Sequence, residues 1–170
     1  MTSSDIRIRE AKPDDYADVA EMHYPVWRRS WSGILTPPLL DILGTPKRWA
    51  AEIYPQSLNR TGWSMWIAES AGRTIGVTIF GPDSDDPDHL LIDALYVTEE
   101  SQRHGVGGHL LETAISTHPS GDVVLWCAVE NGRARSFYEK RNFRIDGRTL
   151  DWEPLPGVIV PHVGYRFTRR

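Results

Sequence analysis

Cysteine is almost missing from this chain. Cys127 is the single one, so no disulfide can staple the fold from within, and a small buried thiol is the expected role. No apolar run approaches the roughly 18 residues that a membrane span requires, so no membrane partner is expected. An excess of positive charge is also lacking. The formal net charge is −4, which argues against a nucleic-acid surface. Several chemical signatures are absent as well. There is no G-x-S-x-G, which argues against a serine-hydrolase elbow. The six histidines form no H-x-x-x-H pair, so no metal site is expected. The opening, MTSSDIRIREAKPDD, lacks an apolar stretch behind basic residues, which reads as cytoplasmic rather than secreted.

What is present suits a packed protein. Of 170 residues, 40% are hydrophobic and 25% charged, consistent with one compact domain over 1–170. Seven tryptophans are many for this length; they suit a core or aromatic walls around a ligand.

Periodicity gives a mixed α/β order. Residues 6–9 read as a short strand, and Pro13, Asp14 and Asp15 open a helix that carries Tyr16, Val19, Ala20 and His23. Pro25 predicts a break or kink near Tyr24. A second helix is expected from Thr36-Pro37 to about Trp49, its apolar face made by Leu39, Leu40 and Leu43. Residues 63–69 and 74–80 read as a hairpin about Ala71-Gly72. GPDSDDPDH resembles a calcium loop only in its acidity. Proline stands where a ligand would fall and the distal glutamate is missing, so a solvated turn is the reading. Strands are then expected at 89–97, 123–129, 143–152 and 158–168, and helices at 105–117 and 131–141.

The most informative stretch is ESQRHGVGGHLL, a glycine-rich turn between a buried-type strand and a helix. Glycines admit close backbone approach, and a helix start offers free N–H groups with the positive end of the dipole, which together suit an anion such as a pyrophosphate. Rival phosphate motifs fail on residues. No Lys-Ser or Lys-Thr follows to make a P-loop, and the third glycine of a dinucleotide fingerprint is replaced by Leu110.

Gln102, Gly105 and Gly107 do fit the pattern [RQ]-x-x-G-x-[GA], flanked by Leu95-Tyr96-Val97 upstream and by N-x-x-A-x-x-F-Y from Asn131 to Tyr138 downstream. Lys140-Arg141-Asn142-Phe143 then leads into the next strand. With PDDYADVAEMH and WRRSWSGIL near the start, the chain resembles the GNAT superfamily of acyl-CoA-dependent N-acetyltransferases over nearly its whole length. The resemblance implies a twisted, mostly antiparallel sheet with a splayed parallel central strand pair flanked by helices. It implies acetyl-CoA as cosubstrate, bound by Gln102, Arg103, His104, Gly105, Val106, Gly107 and Gly108 at the pyrophosphate. It places backbone at Leu95, Tyr96 and Val97, with Asn131, Arg135 and Tyr138, along the pantetheine arm. Asn131 reads equally as a helix cap. His104 stands where the family often has arginine.

The resemblance also implies direct attack of an amine on the thioester, with Tyr138 as general acid. A phenol is protonated at neutral pH and can donate to a thiolate, although Phe137-Tyr138 also suits a core face. The base is left open. The family's glutamate position on the fourth strand is Leu91 here. Asp93 is the nearest carboxylate, on the face of Leu91 and Leu95 if the strand alternates strictly; it serves as base or acceptor-binding group, or pairs with a neighbouring strand. Glu69, His89 or a water relay are alternatives. His23, Trp27 and Trp31, with Tyr24 and Arg28, are candidates for the acceptor pocket. Aromatic rings with Asp93 favour a cationic amine, whereas Arg28 and Arg29 favour an acidic one. The expected acceptor is a small-molecule amine. The alternatives are a protein N-terminus or lysine, or no turnover at all in an acyl-CoA sensor. Homodimers are frequent in the family.

Overall fold

Residues 6–169 are described by a computed structural model. In it, seven strands form one sheet in the order β1-β2-β3-β4-β5-β7-β6. Its first half comprises β1 (Arg7–Glu10), β2 (Ser64–Ser70), β3 (Arg73–Pro82) and β4 (Leu90–Val97). The second comprises β5 (Val123–Ala128), β6 (Arg144–Leu155) and β7 (Val158–Phe167). Every pairing is antiparallel except β4 with β5. The β2–β3 hairpin closes on Ala71 and Gly72 with φ of 48° and 72°, the paired left-handed geometry that suits the twist of a two-residue hairpin.

Two layers of helix cover the sheet. On one face lie α5 (Val106–Thr117) and α6 (Gly132–Glu139). They pack on Leu90, Ile92, Leu125, Cys127 and Tyr165. The other face carries α1 (Tyr16–Trp31), α2 (Pro37–Leu43), α3 (Pro46–Arg48) and α4 (Tyr54–Leu58). These bury Val19, Trp27, Leu40, Trp49 and Tyr54 against Ile67, Val77 and Val160. No helix among the described residues is long and apolar enough to cross a membrane.

Two expectations need correction. Pro25 does not end its helix: α1 runs through it to Trp31. The missing N–H costs one helix bond, but Val19, Ala20, His23 and Trp27 are buried on either side of the proline, and this burial offsets the loss. The helix expected up to Trp49 instead stops at Leu43. Gly44 follows with φ +153°, where a Cβ would stand 2.3 Å from Trp49 Nε1. A separate helical stretch, unread in the sequence beyond Trp49, runs from Pro46 to Leu58 through a π-helical turn at Trp49–Ile53. That wide turn directs Trp49 into the core beside His23, with ring centroids 4.8 Å apart.

Candidate active site

The parallel pair opens into a fork. Its register ends at Ile92↔Leu125, although β4 continues to Val97 and β5 to Ala128. The Thr98 N–H donates to the Ile75 carbonyl on β3 at 2.9 Å. Strand alternation therefore turns the backbone groups of Leu95 and Val97 into the gap, and those of Tyr96 toward β3. Gln102 Nε2 donates to the Val97 carbonyl at 2.9 Å, and Arg133 donates to Gln102 Oε1. Gln102 thus ties the end of β4 to α6 across the fork.

The turn that follows is held in left-handed backbone, with Arg103 at φ 70° and Gly105 at φ 81°. Gly105 is the N-cap of α5, so the first-turn N–H groups have no partner within the helix. Arg103 and His104 are exposed, whereas the Val106 side chain is buried in the core and offers only backbone to a ligand. Gly107 has a packing reason as well: a Cβ there would stand 3.2 Å from the Phe137 ring. At Gly108 a Cβ would meet Arg141 Nη2 at 3.2 Å. A cavity of about 200 Å³ lies between the end of α1 and the start of α6, lined by Arg29, Glu99, Gln102, Asn131 and Arg133 among others. A larger one of about 820 Å³ lies among Ile115, Asn142, Arg144 and Arg166 at the far end of α5, and holds none of the candidate residues.

Asn131 caps α6, its Oδ1 accepting from the Ala134 N–H at 3.1 Å. Arg135 turns away from the glycine turn, donating to the Tyr165 hydroxyl at 3.0 Å and to the Val129 carbonyl. Tyr138 is buried, edge-on to Phe137 and Phe143. Its hydroxyl makes no hydrogen bond to a described residue. Burial pushes its pKa up, with Cys127 and Tyr96 near enough to add to the rise. Burial likewise raises the Cys127 thiol to about 11, which keeps it protonated and inert.

The β4 strand does not alternate strictly. Ile79 pairs with Ala94 but Phe80 pairs with Ile92, so Asp93 is the extra residue of a β-bulge. Leu95 consequently packs toward α5, while Ala94 and Tyr96 face α1–α4. Asp93 does not share a face with Leu95, and it does not lie buried among leucines. It is exposed and lies within the electrostatic reach of Arg60. Protein on both sides still raises its carboxyl pKa by desolvation, and Arg60 partly opposes the rise.

Tyr96 links the two layers of the site. Trp31 Nε1 donates to its hydroxyl at 3.3 Å, and burial pushes that hydroxyl up to about 12, with Asp93 adding to the rise. Behind it lies His23, with ring centroids 4.7 Å apart. His23 Nδ1 is 2.8 Å from the Tyr54 hydroxyl, while Nε2 is sealed without a partner. Burial drives this imidazole down to about 3; it is neutral at physiological pH. Trp27 is 9% exposed and sits in the same core.

The fold therefore gathers Asp93, Tyr96, Trp31 and Tyr138 about the fork. It does not bring Glu69 or His89 there. Glu69 is locked with Asp15 onto Arg9 at the β1 edge, through contacts of 2.7 and 2.8 Å. His89 accepts from the Asp122 N–H at the opposite end of β4. Two wall residues escaped the sequence reading: Trp152 and His162. Trp152 and His162 ring Trp31 at 5.1 and 5.9 Å. They come from the last hairpin, and only the period-2 pattern hints at which face they occupy.

The acetyltransferase (GNAT) family model matches residues 24–143. This chain belongs to the GNAT acetyltransferase family. The match spans the fork, the glycine turn and α6. The chain is 64% identical over 169 residues to a probable N-acetyltransferase of Mycobacterium tuberculosis, Rv2775, covering 99% of this chain and 97% of that protein. It is 26% identical over 159 residues to the uncharacterized N-acetyltransferase YuaI of Bacillus subtilis, covering 85% and 88%. In fold it is similar to a PaiA N-acetyltransferase from Thermoplasma acidophilum solved with coenzyme A. The TM-score there is 0.72 at 17% identity, over 93% of this chain and 97% of that one. This GNAT protein is accordingly an acetyltransferase with the family's mixed α/β sheet.

Proposed function

We propose that the chain works as one domain, residues 1–170, that moves an acetyl group from acetyl-CoA to the amine of a small cationic molecule. The observation that carries the reading is the fork. The β4–β5 pairing stops at Ile92↔Leu125, with Leu95 and Val97 backbone turned into the gap and the bulged Asp93 open on the α1–α4 face.

The residues present fit the cosubstrate. The free N–H groups behind Gly105, with Gln102, Arg103, His104, Val106 backbone, Gly107 and Gly108, would hold the pyrophosphate. Leu95 and Val97 backbone would pair with the pantetheine arm like an added strand, and the Asn131 amide N–H₂ is left free by its cap to join them. Acetyl-CoA would supply the acetyl group as an activated thioester.

The chain's own residues then have distinct tasks. Backbone N–H at the fork polarises the carbonyl. Tyr138, kept protonated by burial, donates its phenolic proton to the departing thiolate. Asp93 holds the cation of the acceptor, and Trp31, Tyr96 and Trp152 wall it by cation–π and apolar contact. The α1–α4 layer closes this side of the cleft, which favours a small molecule over a folded protein surface.

The test is mass-spectrometric detection of N-acetyl products from acetyl-CoA and a panel of spermidine, tyramine, an amino acid and a short peptide. Acetylation of the small cationic amines ahead of the peptide is expected. Exclusive acetylation of the peptide would overturn the small-molecule assignment.

A further inference from the structure

The acceptor amine reaches the fork as an ammonium ion and must lose a proton before it attacks, yet the groups suggested by sequence are poorly placed to take it. His23 Nε2 is sealed. Glu69 is bound to Arg9. His89 is at the wrong end of β4. Asp93 lies on the bulge, next to where β4 and β5 are still paired.

His162 is placed differently. It pairs across β7–β5 with Ala128, the last residue of β5. Counting on from Ile92↔Leu125, and passing over the bulged Asp93, brings Tyr96 level with Ala128. Tyr96, Ala128 and His162 therefore lie on one row across the mouth of the fork, on the α1–α4 face. Trp31 spans that row. Its Nε1 donates to the Tyr96 hydroxyl at 3.3 Å, and its ring lies 5.9 Å from that of His162.

The ring is also oriented. His162 Nδ1 is 2.8 Å from the Val160 carbonyl. A carbonyl only accepts, so Nδ1 carries the proton and Nε2 of the neutral imidazole presents a lone pair. Among the described residues nothing hydrogen-bonds Nε2, and unlike His23 Nε2 it is not a sealed atom. Trp152 stands edge-on to the ring at 5.9 Å and Trp31 tilts over it, leaving His162 9% exposed.

We propose that His162 is the general base of the acetyl transfer, its Nε2 taking the first proton from the acceptor ammonium. The inference rests on the N-acetyltransferase reading. The proton balance is complete. Nε2 removes one proton from the ammonium and later returns it to water. The neutral nitrogen forms the new C–N bond as the C–S bond breaks. The second proton lost by nitrogen replaces the one that Tyr138 has given to sulfur. The products are the N-acetyl compound, the free thiol and one released proton, with no oxidant or further reactant.

The test compares the wild type with His162→Gln and Asp93→Asn, using whichever of spermidine, tyramine and a short peptide the wild type acetylates fastest. For His162→Gln, kcat/KM is expected to fall about 100-fold at neutral pH. Acetyl-CoA affinity by calorimetry should be unchanged, and the acid limb of the kcat/KM–pH profile should vanish. Persistence of that limb in His162→Gln together with its loss in Asp93→Asn would overturn the proposal. A second readout needs no acceptor and no variant. Diethyl pyrocarbonate labelling of the wild type, mapped by mass spectrometry, is expected to modify His162 and spare His23; an unlabelled His162 would overturn the proposal. If the wild type acetylates no amine while His162 labels normally, the transferase reading fails rather than the placement of the base.

Discussion

The Trp31 indole donates from Nε1 to the Tyr96 hydroxyl across 3.3 Å, and this bond joins the end of α1 to the free half of β4. It fixes the wall of the cleft at the point where the two central strands have parted. Replacing Trp31 by phenylalanine keeps a ring but removes the donor. A net loss of about 1 kcal/mol is expected from one such bond. It should appear as a several-fold higher KM for the acceptor in steady-state kinetics, with acetyl-CoA affinity unchanged by calorimetry.

Gly105 must stay glycine for backbone reasons. Its φ of 81° is left-handed, and a Cβ costs about 1–2 kcal/mol there. Gly105→Ala is expected to lower the melting temperature by a few degrees, and to weaken acetyl-CoA binding because the first N–H groups of α5 are re-aimed. Differential scanning calorimetry with and without acetyl-CoA checks both effects.

Asp93 is predicted to lower stability while serving the site. Its folded-state pKa lies above the ordinary carboxylate value because the surrounding protein partly desolvates it although the residue is exposed. The ionised form therefore costs stability at pH above the folded pKa, and that cost disappears below the unfolded one. Asp93→Asn should melt higher than the wild type at pH 7, with the gap closing as pH falls through the carboxylate range. In the same protein, KM for a cationic acceptor should rise about tenfold, as expected for a lost charge-assisted contact of about 1.5 kcal/mol.

Asp15 has the opposite sign. Arg9 holds its carboxyl down to about 2 by hydrogen bonding and charge. Its contribution is present above the unfolded pKa, and is lost as pH falls through the folded value near 2. Asp15→Asn should therefore lower the melting temperature at pH 7 and converge on the wild type near pH 2 in a thermal series.

Much of this was legible in the chain because its signals are local. Gln102, Gly105 and Gly107 punctuate a strand-to-helix turn, and Asn131 caps a helix three residues before the N–H it accepts. What escaped depends on distant partners. Pro25 reads as a helix breaker until the burial of His23 and Trp27 on either side is known. The bulge at Asp93 is set by the pairing of its neighbours Ala94 and Ile92 with Ile79 and Phe80, which no window on β4 reveals. His162 sits in an unremarkable V-P-H-V run, and only the β5–β7 and β6–β7 pairings bring it beside Trp31 and Trp152.

The most direct test is thiol release from acetyl-CoA by the wild type and by Tyr138→Phe, with an acceptor that the wild type acetylates and with acetyl-CoA affinity measured in parallel. The account predicts that Tyr138→Phe lowers kcat about 100-fold while its acetyl-CoA dissociation constant stays within about twofold of the wild type. Unchanged kcat in Tyr138→Phe, or a loss confined to acetyl-CoA affinity, would contradict the assignment of the fork as the place where the thiolate is protonated.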